Sequence, residues 1–191
     1  MRLVVTGFGP FGDVKENPSR ELALRISADP PSGWETDVRS LEVTYRDALE
    51  ALEEMKAIAP GVLFELGLHG ADDRMRLELF GWRNVSDKPD NEGVVGSMEM
   101  LPRGPEAIPS SLFTGGLAEW IDHPRLVESE SAGAYLCNFW YYATLAGLPD
   151  VRCGFVHVPH SEGSRPDGPH MTLAEQEELL RSTLTELRKG L

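Results

Sequence analysis

GVLFELGL, residues 61–68, is the stretch that decides the fold, because it is short, almost wholly apolar and followed by a glycine-containing turn. A run of this length without polar alternation predicts a strand that is buried on both faces. Two further runs share the pattern, RLVVT at 2–6 and RCGFVHV at 152–158. Strands of this kind are typical of a largely parallel sheet that carries helices on both sides.

Helical segments alternate with these strands along the chain. Asn17-Pro18-Ser19 predicts a helix start, and Pro60 ends a helix over 46–58. The alternation predicts one α/β domain over 1–191, a three-layer α/β/α sandwich around a mixed, mostly parallel twisted sheet. Ligands of such sheets bind at the carboxyl ends of the strands. The other predicted elements are strands at 37–44, 74–82 and 126–129, helices at 115–122, 134–145 and 172–189, and a functional loop or hairpin after 84.

The charge balance restricts the partners. The chain carries 18 Lys and Arg against 31 Asp and Glu, a formal net charge of −13. This charge repels nucleic acid and anionic membranes, so we expect neither as a partner. We find no apolar run that is long enough to span a bilayer and no signal-peptide pattern at the amino terminus. Two cysteines make no disulfide framework, so we expect a reducing, cytoplasmic location.

The segment GFGPFG at 7–12 fits the glycine pattern of dinucleotide-binding loops. Such a loop needs a helix that opens within the glycine run, with free backbone amides facing the pyrophosphate. Pro10 removes one of these amides, and the helix signal comes only at Asn17. We favour another interpretation, in which Phe8 and Phe11 lie on a loop and wall an apolar pocket for a small uncharged ring. Two core phenylalanines are the simpler alternative.

Cys137 in SESAGAYLCNFWYY, 129–142, is the first candidate for chemistry. Gly133 and Ala134 permit a tight entry into the predicted helix, which places Cys137 in or near its first turn. The partial positive charge of a helix amino terminus favours thiolate, the nucleophilic form, over thiol. The alternative is a small core residue, which is usual for free cysteines and is what we expect of Cys153.

A nucleophilic cysteine needs a base, and His157 is the best placed of the five histidines. It ends a buried strand, at the sheet edge where ligands bind. His69 also follows a strand, whereas His123 and His170 lie in polar loops. His160 would point to the opposite face of a strand from His157, so these two make a poor metal pair.

The carboxylate that would orient the histidine is hard to choose among 31 acidic residues. Glu78 in RMRLELFGW, 74–82, is a candidate because apolar residues flank it on both sides. The alternative is a surface strand residue in ion-pair contact with Arg76, since charged residues are usually solvated. The residues by themselves thus predict a Cys-His hydrolase and leave its third group and its substrate open.

Five blocks of the chain resemble, in order and spacing, segments of the pyroglutamyl-peptidase I family of cysteine peptidases. The blocks are VTGFGPFG with the following ENPS, RLELFG, KPDNEG, SESAGAYLCNFWYY and GFVHVP. The resemblance covers nearly the whole chain. It implies an omega-peptidase that removes pyroglutamate (5-oxoproline) from the amino termini of peptides and proteins through a thioester acyl-enzyme, without metal or cofactor. It also implies a phosphorylase/hydrolase-like fold and a homo-oligomer, often a tetramer.

The resemblance also implies roles for individual residues. Cys137 would be the nucleophile, His157 the general base and then acid, and Glu78 the group that orients His157. The residues implied for the substrate pocket are Phe8, Phe11 and Tyr135 as aromatic walls, Asn17 as a polar anchor, and Leu68 through its main chain.

Three departures from the family pattern bear on specificity and rate. Leu68 stands where many members have glutamine, and 69–74 lacks their glycine-rich, basic pattern. An arginine that often precedes the PDNEG-like loop is missing from its place, with Lys88 nearby. The altered segment 68–76 leaves open a relative that binds a lactam without turnover. The glycine pattern at 7–12 leaves open a dinucleotide-binding oxidoreductase.

Overall fold

The computed structural model describes residues 1–113, 115–165 and 167–191. Within these ranges the strands are β1 (Arg2–Phe8), β2 (Glu35–Leu41), β3 (Val62–Leu68), β4 (Met75–Glu78), β5 (Phe80–Trp82), β6 (Ala107–Pro109), β7 (Leu126–Ser129) and β8 (Arg152–Val158). The helices are α1 (Pro18–Ala28), α2 (Tyr45–Ile58), α3 (Leu117–Ile121), α4 (Leu136–Gly147) and α5 (Leu173–Gly190), with a 3-10 helix at Met98–Met100.

A six-stranded sheet forms the centre of the structure, in the order β2-β1-β3-β8-β4-β7. All neighbours pair in parallel except β4 and β8, so β4 and β7 run opposite to the other four strands. Strands β5 and β6 form a separate antiparallel pair. The predicted α/β class with a mixed, mostly parallel sheet is confirmed.

Apolar side chains cover both faces of the sheet. One cluster packs α2 and α4 against one face, and a second packs α1, α3 and α5 against the other. Leu63 belongs to the first cluster and Phe64 to the second, because successive side chains of a strand point to opposite faces. This double burial is the reason why the run 61–68 shows no polar alternation, and it produces the three predicted layers.

Three strand predictions are wrong at their ends. β1 continues to Phe8, which is therefore a buried strand residue and not a loop residue. β2 ends at Leu41, because Thr44 caps α2 by accepting a hydrogen bond of 3.1 Å from the amide of Asp47. The predicted strand 74–82 is two strands, β4 and β5, which belong to different sheets.

Gly7 packs β1 against α1. A Cβ atom at this position would overlap the backbone carbonyl of Ser19, so the glycine permits a close approach of helix and strand. Residues 7–12 form the end of β1 and a turn, and α1 begins only at Pro18. The dinucleotide interpretation therefore lacks the helix that it requires at the glycine run.

No helix in the described ranges is both long and apolar enough to cross a bilayer.

Candidate active site

A cavity of about 380 Å³ opens at the carboxyl ends of β1, β3 and β8. This is the sheet edge where the strand pattern predicts a site. The structure brings every residue of the predicted site to the lining of this one cavity: Phe8, Phe11, Asn17, Leu68, Glu78, Tyr135, Cys137 and His157.

The ring of His157 is bound to a buried carboxylate. Nδ1 of His157 lies 2.7 Å from Oε1 of Glu78, and the two residues are 6% and 0% exposed. β4 and β8 bring them together as antiparallel neighbours. The surface alternative for Glu78 is wrong, because Glu78 is buried and the guanidinium of Arg76 pairs instead with Asp72 at 2.8 Å. With Nδ1 facing Glu78, Nε2 of His157 is the ring nitrogen left for other partners.

Cys137 lies in the first turn of α4 and is half-buried. The N-cap residue Tyr135 makes no side-chain capping hydrogen bond, and the first turn carries no acidic residue. The positive end of the helix dipole therefore acts on the Cys137 sulfur without a competing negative side chain from the helix itself. Cys153 is fully buried in the core, as predicted.

Gly67 provides the space that the Cys137 sulfur occupies. A Cβ at Gly67 would lie 2.9 Å from Sγ of Cys137 and 2.5 Å from Cζ of Phe155. Gly67 is also the register partner of His157 in the β3–β8 ladder, so the sulfur lies over the strand next to His157. Gly67 is not among the predicted site residues, although a glycine inside a buried strand often marks a close approach.

The environment of His157 keeps its ring protonated at neutral pH. Burial lowers the pKa of His157, but interactions with the Cys137 sulfur and the Glu78 carboxylate outweigh burial and raise the pKa from 6.5 to about 9. A protonated imidazole beside the sulfur stores a proton for a leaving group.

His69 packs edge-to-face on His157, with ring centroids 5.8 Å apart. Its Nε2 donates to the carbonyl oxygen of Arg74 at 2.7 Å, and its Nδ1 accepts from the amide of Ala71 at 3.3 Å. Burial lowers the pKa of His69 to about 4, despite the opposite effect of the Arg74 carbonyl. His69 is therefore a neutral wall of the cavity, whereas the sequence predicts it only near this edge of the sheet.

The lining of the cavity also includes three aromatic rings, those of Phe8, Phe11 and Tyr135, which we call the aromatic slot. The Asn17 side chain there already caps α1. Its Oδ1 accepts from the amide and the hydroxyl of Ser19 at 3.1 and 2.8 Å, and its Nδ2 donates to the Gly9 carbonyl at 2.9 Å. The second amide hydrogen of Asn17 has no acceptor among the described residues and remains for a ligand.

Leu68 lies just past the point where β1 and β3 separate. The β1–β3 ladder ends at Leu66, whereas the β3–β8 ladder continues to the Leu68 pair. The backbone groups of Leu68 that face β1 therefore have no hydrogen-bond partner in the β1–β3 ladder.

Among the described residues, no group of three or more His, Cys, Asp or Glu side chains is arranged to hold a metal ion.

The chain is similar to known proteins in sequence and in fold. A family model described as pyroglutamyl peptidase matches residues 1–174. The pyrrolidone-carboxylate peptidase of Streptomyces coelicolor is 33% identical over 178 residues, which cover 87% of this chain and 82% of that protein. The corresponding protein of Thermococcus onnurineus is 31% identical over 185 residues and 91% of each chain. A mutant pyrrolidone carboxyl peptidase from Pyrococcus furiosus matches with a TM-score of 0.89, 27% identity and 100% coverage of both chains.

Proposed function

We propose, from the premise that this chain belongs to the pyroglutamyl peptidase family of cysteine peptidases, that it hydrolyses the bond after an amino-terminal pyroglutamyl residue. One observation carries the proposal: a helix-start sulfur, an imidazole bound to a buried carboxylate, and an aromatic slot line the same cavity. The substrates are then peptides and proteins whose amino terminus is a neutral lactam.

The aromatic slot of the cavity suits a lactam ring. Phe8, Phe11 and Tyr135 offer apolar surface to an uncharged five-membered ring. The backbone of Leu68, beyond the β1 ladder, and the free amide hydrogen of Asn17 are the polar groups that we assign to the lactam. A slot whose polar groups are satisfied only by this ring rejects other amino termini, because those groups stay unpaired without it.

We assign the chemistry to Cys137, His157 and Glu78. The thiolate of Cys137 attacks the pyroglutamyl carbonyl carbon, and the His157 imidazolium gives its proton to the leaving amine nitrogen. The neutral His157 then takes a proton from water, and the resulting hydroxide attacks the thioester and expels the Cys137 thiolate. Glu78 holds the ring of His157 in orientation and stabilises its charged form. Each cycle consumes one water and restores the thiolate–imidazolium pair.

We assign the backbone amides in the first turn of α4 as the hydrogen-bond donors to the oxyanion, the negatively charged oxygen that forms on the attacked carbonyl. The first amides of a helix have no partner within the helix, and no side chain caps this one. The amide of Cys137 belongs to that turn and lies next to the attacking sulfur. Fixed backbone donors at this position stabilise the negative oxygen of the tetrahedral intermediate.

The family resemblance implies the assembly, and the cysteine content predicts the location. We propose one peptidase domain over 1–191, a cytoplasmic location and a homotetramer. Light scattering at several protein concentrations tests the assembly. A mass of four chains is the expected result, and a mass of one chain would reject the tetramer.

The decisive test of the function uses two chromogenic substrates. We expect the purified chain to release naphthylamine from pyroglutamyl-naphthylamide and not from alanyl-naphthylamide. Iodoacetamide labelling accompanies the assay, with Cys153 as the internal control: Cys137 should be alkylated near neutral pH and the buried Cys153 should not. A chain that binds lactam but releases no naphthylamine would be a binding protein, and the peptidase proposal would be wrong.

A further inference from the structure

The segment 86–91 is fixed to both walls of the aromatic slot. On one side it is bound to the residues just before α4, and on the other to the turn that carries Phe11. Its hydrogen bonds run from the Ser86 amide to the Ala134 carbonyl (2.6 Å), from the Tyr135 hydroxyl to the Pro89 carbonyl (3.0 Å), and from Asn91 Nδ2 to the Pro10 carbonyl (2.9 Å). The backbone at the centre of this segment is therefore held in place.

Lys88 stands at that centre, and its ammonium group lies over the slot. Nζ is 4.5 Å from the ring centroid of Tyr135 and 5.6 Å from that of Phe11. Both rings line the cavity with Lys88. Lys88 is exposed to solvent, and the faces of the two aromatic rings attract its cation towards the slot.

Lys88 has no carboxylate partner among the described residues, although the chain is acidic overall, with a net charge of −13. Asp90, in the same segment, is occupied by backbone amides. Its carboxylate accepts hydrogen bonds from the amides of Tyr45, Glu92 and Val94, each at 2.9 Å. The positive charge of Lys88 therefore remains available to a ligand.

The other charged residues of the cavity lining are paired. Glu78 binds His157, and Arg76 binds Asp72. Hydrogen-bond donors are also scarce at the aromatic slot. The Tyr135 hydroxyl donates its hydrogen to the Pro89 carbonyl, and Asn17 keeps one amide hydrogen for a ligand.

We infer that Lys88 is a further residue that distinguishes the pyroglutamyl ring from other amino termini, besides Leu68 and Asn17, an inference that rests on the proposed function. Its ammonium donates a hydrogen bond to the ring carbonyl oxygen, the atom that separates pyroglutamate from proline. The same charge acts against the competitors. An amino-terminal proline or an ordinary α-amine is cationic at neutral pH, so Lys88 repels it, whereas the lactam nitrogen is neutral. The substrate class is thus an uncharged, carbonyl-bearing ring.

The test compares Lys88→Met with Lys88→Arg. Lys56→Met, on the exposed face of α2, is the control that changes the net charge by the same amount far from the cavity. Binding is measured as protection of Cys137 from iodoacetamide by 2-pyrrolidone, a neutral lactam, and by prolinamide, a cation. This readout does not require turnover, so a failed peptidase assay with normal lactam protection would reject the proposed function and leave this inference intact.

We expect Lys88→Met to weaken protection by 2-pyrrolidone about ten-fold, the scale of one charged hydrogen bond, and to strengthen protection by prolinamide. Lys88→Arg and Lys56→Met should behave like the wild type. In turnover, Lys88→Met should raise KM for pyroglutamyl-naphthylamide more than it lowers kcat. Unchanged protection by both ligands, or tighter lactam binding by Lys88→Met, would overturn the inference, the latter because the lysine would then be an obstacle in the slot.

Discussion

The sulfur of Cys137 rests in the space that Gly67 leaves by having no side chain. A Cβ at Gly67 would lie 2.9 Å from Sγ, closer than side-chain atoms normally approach. Because Gly67 is paired in register with His157, this contact sets the position of the sulfur relative to the imidazole. The proposed nucleophile and base are thus held together by β3 as well as by their own elements.

Gly67→Ala should therefore displace the sulfur. We expect kcat/KM to fall by about a hundred-fold, the scale for a misplacement of about 1 Å at a reacting group. Alkylation of Cys137 by iodoacetamide should slow as well. Gly190→Ala, where an added Cβ meets nothing within 4 Å, is the matched control. Wild-type activity in Gly67→Ala would show that this contact does not position the sulfur.

Glu78→Gln should change both the rate and its dependence on pH. In the wild type the raised pKa of His157 keeps its proton available until the pH rises through about 9, where we expect kcat/KM to fall. Glu78 is one of the two groups that raise this pKa, so the alkaline limb of the profile should move to lower pH in Glu78→Gln. At neutral pH the variant should lose about a hundred-fold or more in kcat. A profile with an unmoved alkaline limb would contradict the role of Glu78.

His69 should make the fold less stable in mild acid. Its pKa is lowered from 6.5 to about 4, so between these values the unfolded chain binds a proton that the folded chain does not. The stability that depends on neutral His69 is complete above pH 6.5 and is lost as the pH falls towards 4. Thermal unfolding of wild type and His69→Gln at pH 7 and pH 5 checks this. From pH 7 to pH 5 the Tm of the wild type should fall by more than the Tm of His69→Gln. Equal decreases would be evidence against a neutral, packed His69.

Glu65 should lower stability at alkaline pH. It is fully buried on β3, on the same face as Gly67, and burial raises the pKa of this carboxyl well above 4.5, against a smaller effect of the Thr144 hydroxyl. A raised carboxyl pKa means that its stabilising contribution is complete below about pH 4.5 and is lost as the pH rises. Glu65→Gln should therefore have a higher Tm than the wild type at pH 8, with a smaller difference at pH 5. A lower Tm at pH 8 would show that the ionised form is stabilised in the core.

The sheet and its helices were predictable, because their signals are local. The run 61–68 is apolar throughout because both faces of β3 are buried. Asn17 caps α1 at the position where the sequence predicts a helix start. Strand ends were less predictable. Thr44 reads as a continuation of a β-branched strand, and only its hydrogen bond to Asp47 shows that it belongs to α2.

The site was predictable where a residue's place in its own element was informative. Cys137 at a helix start and His157 at a strand end are such cases. Glu78 was ambiguous, because its partner is 79 residues away on an antiparallel neighbour. The positions of Gly67 against the sulfur and of Lys88 between two aromatic rings depend on contacts between distant segments, which composition and spacing do not reveal.

The most direct test of the account is the hydrolysis of pyroglutamyl-naphthylamide by Cys137→Ala and by Cys153→Ala as its matched control. We expect Cys137→Ala to lose at least about a thousand-fold in kcat/KM, the scale for loss of a triad member, while Cys153→Ala keeps turning over the substrate. Circular dichroism would verify that both variants are folded. Near-normal hydrolysis by folded Cys137→Ala would contradict the central claim that this sulfur attacks the substrate.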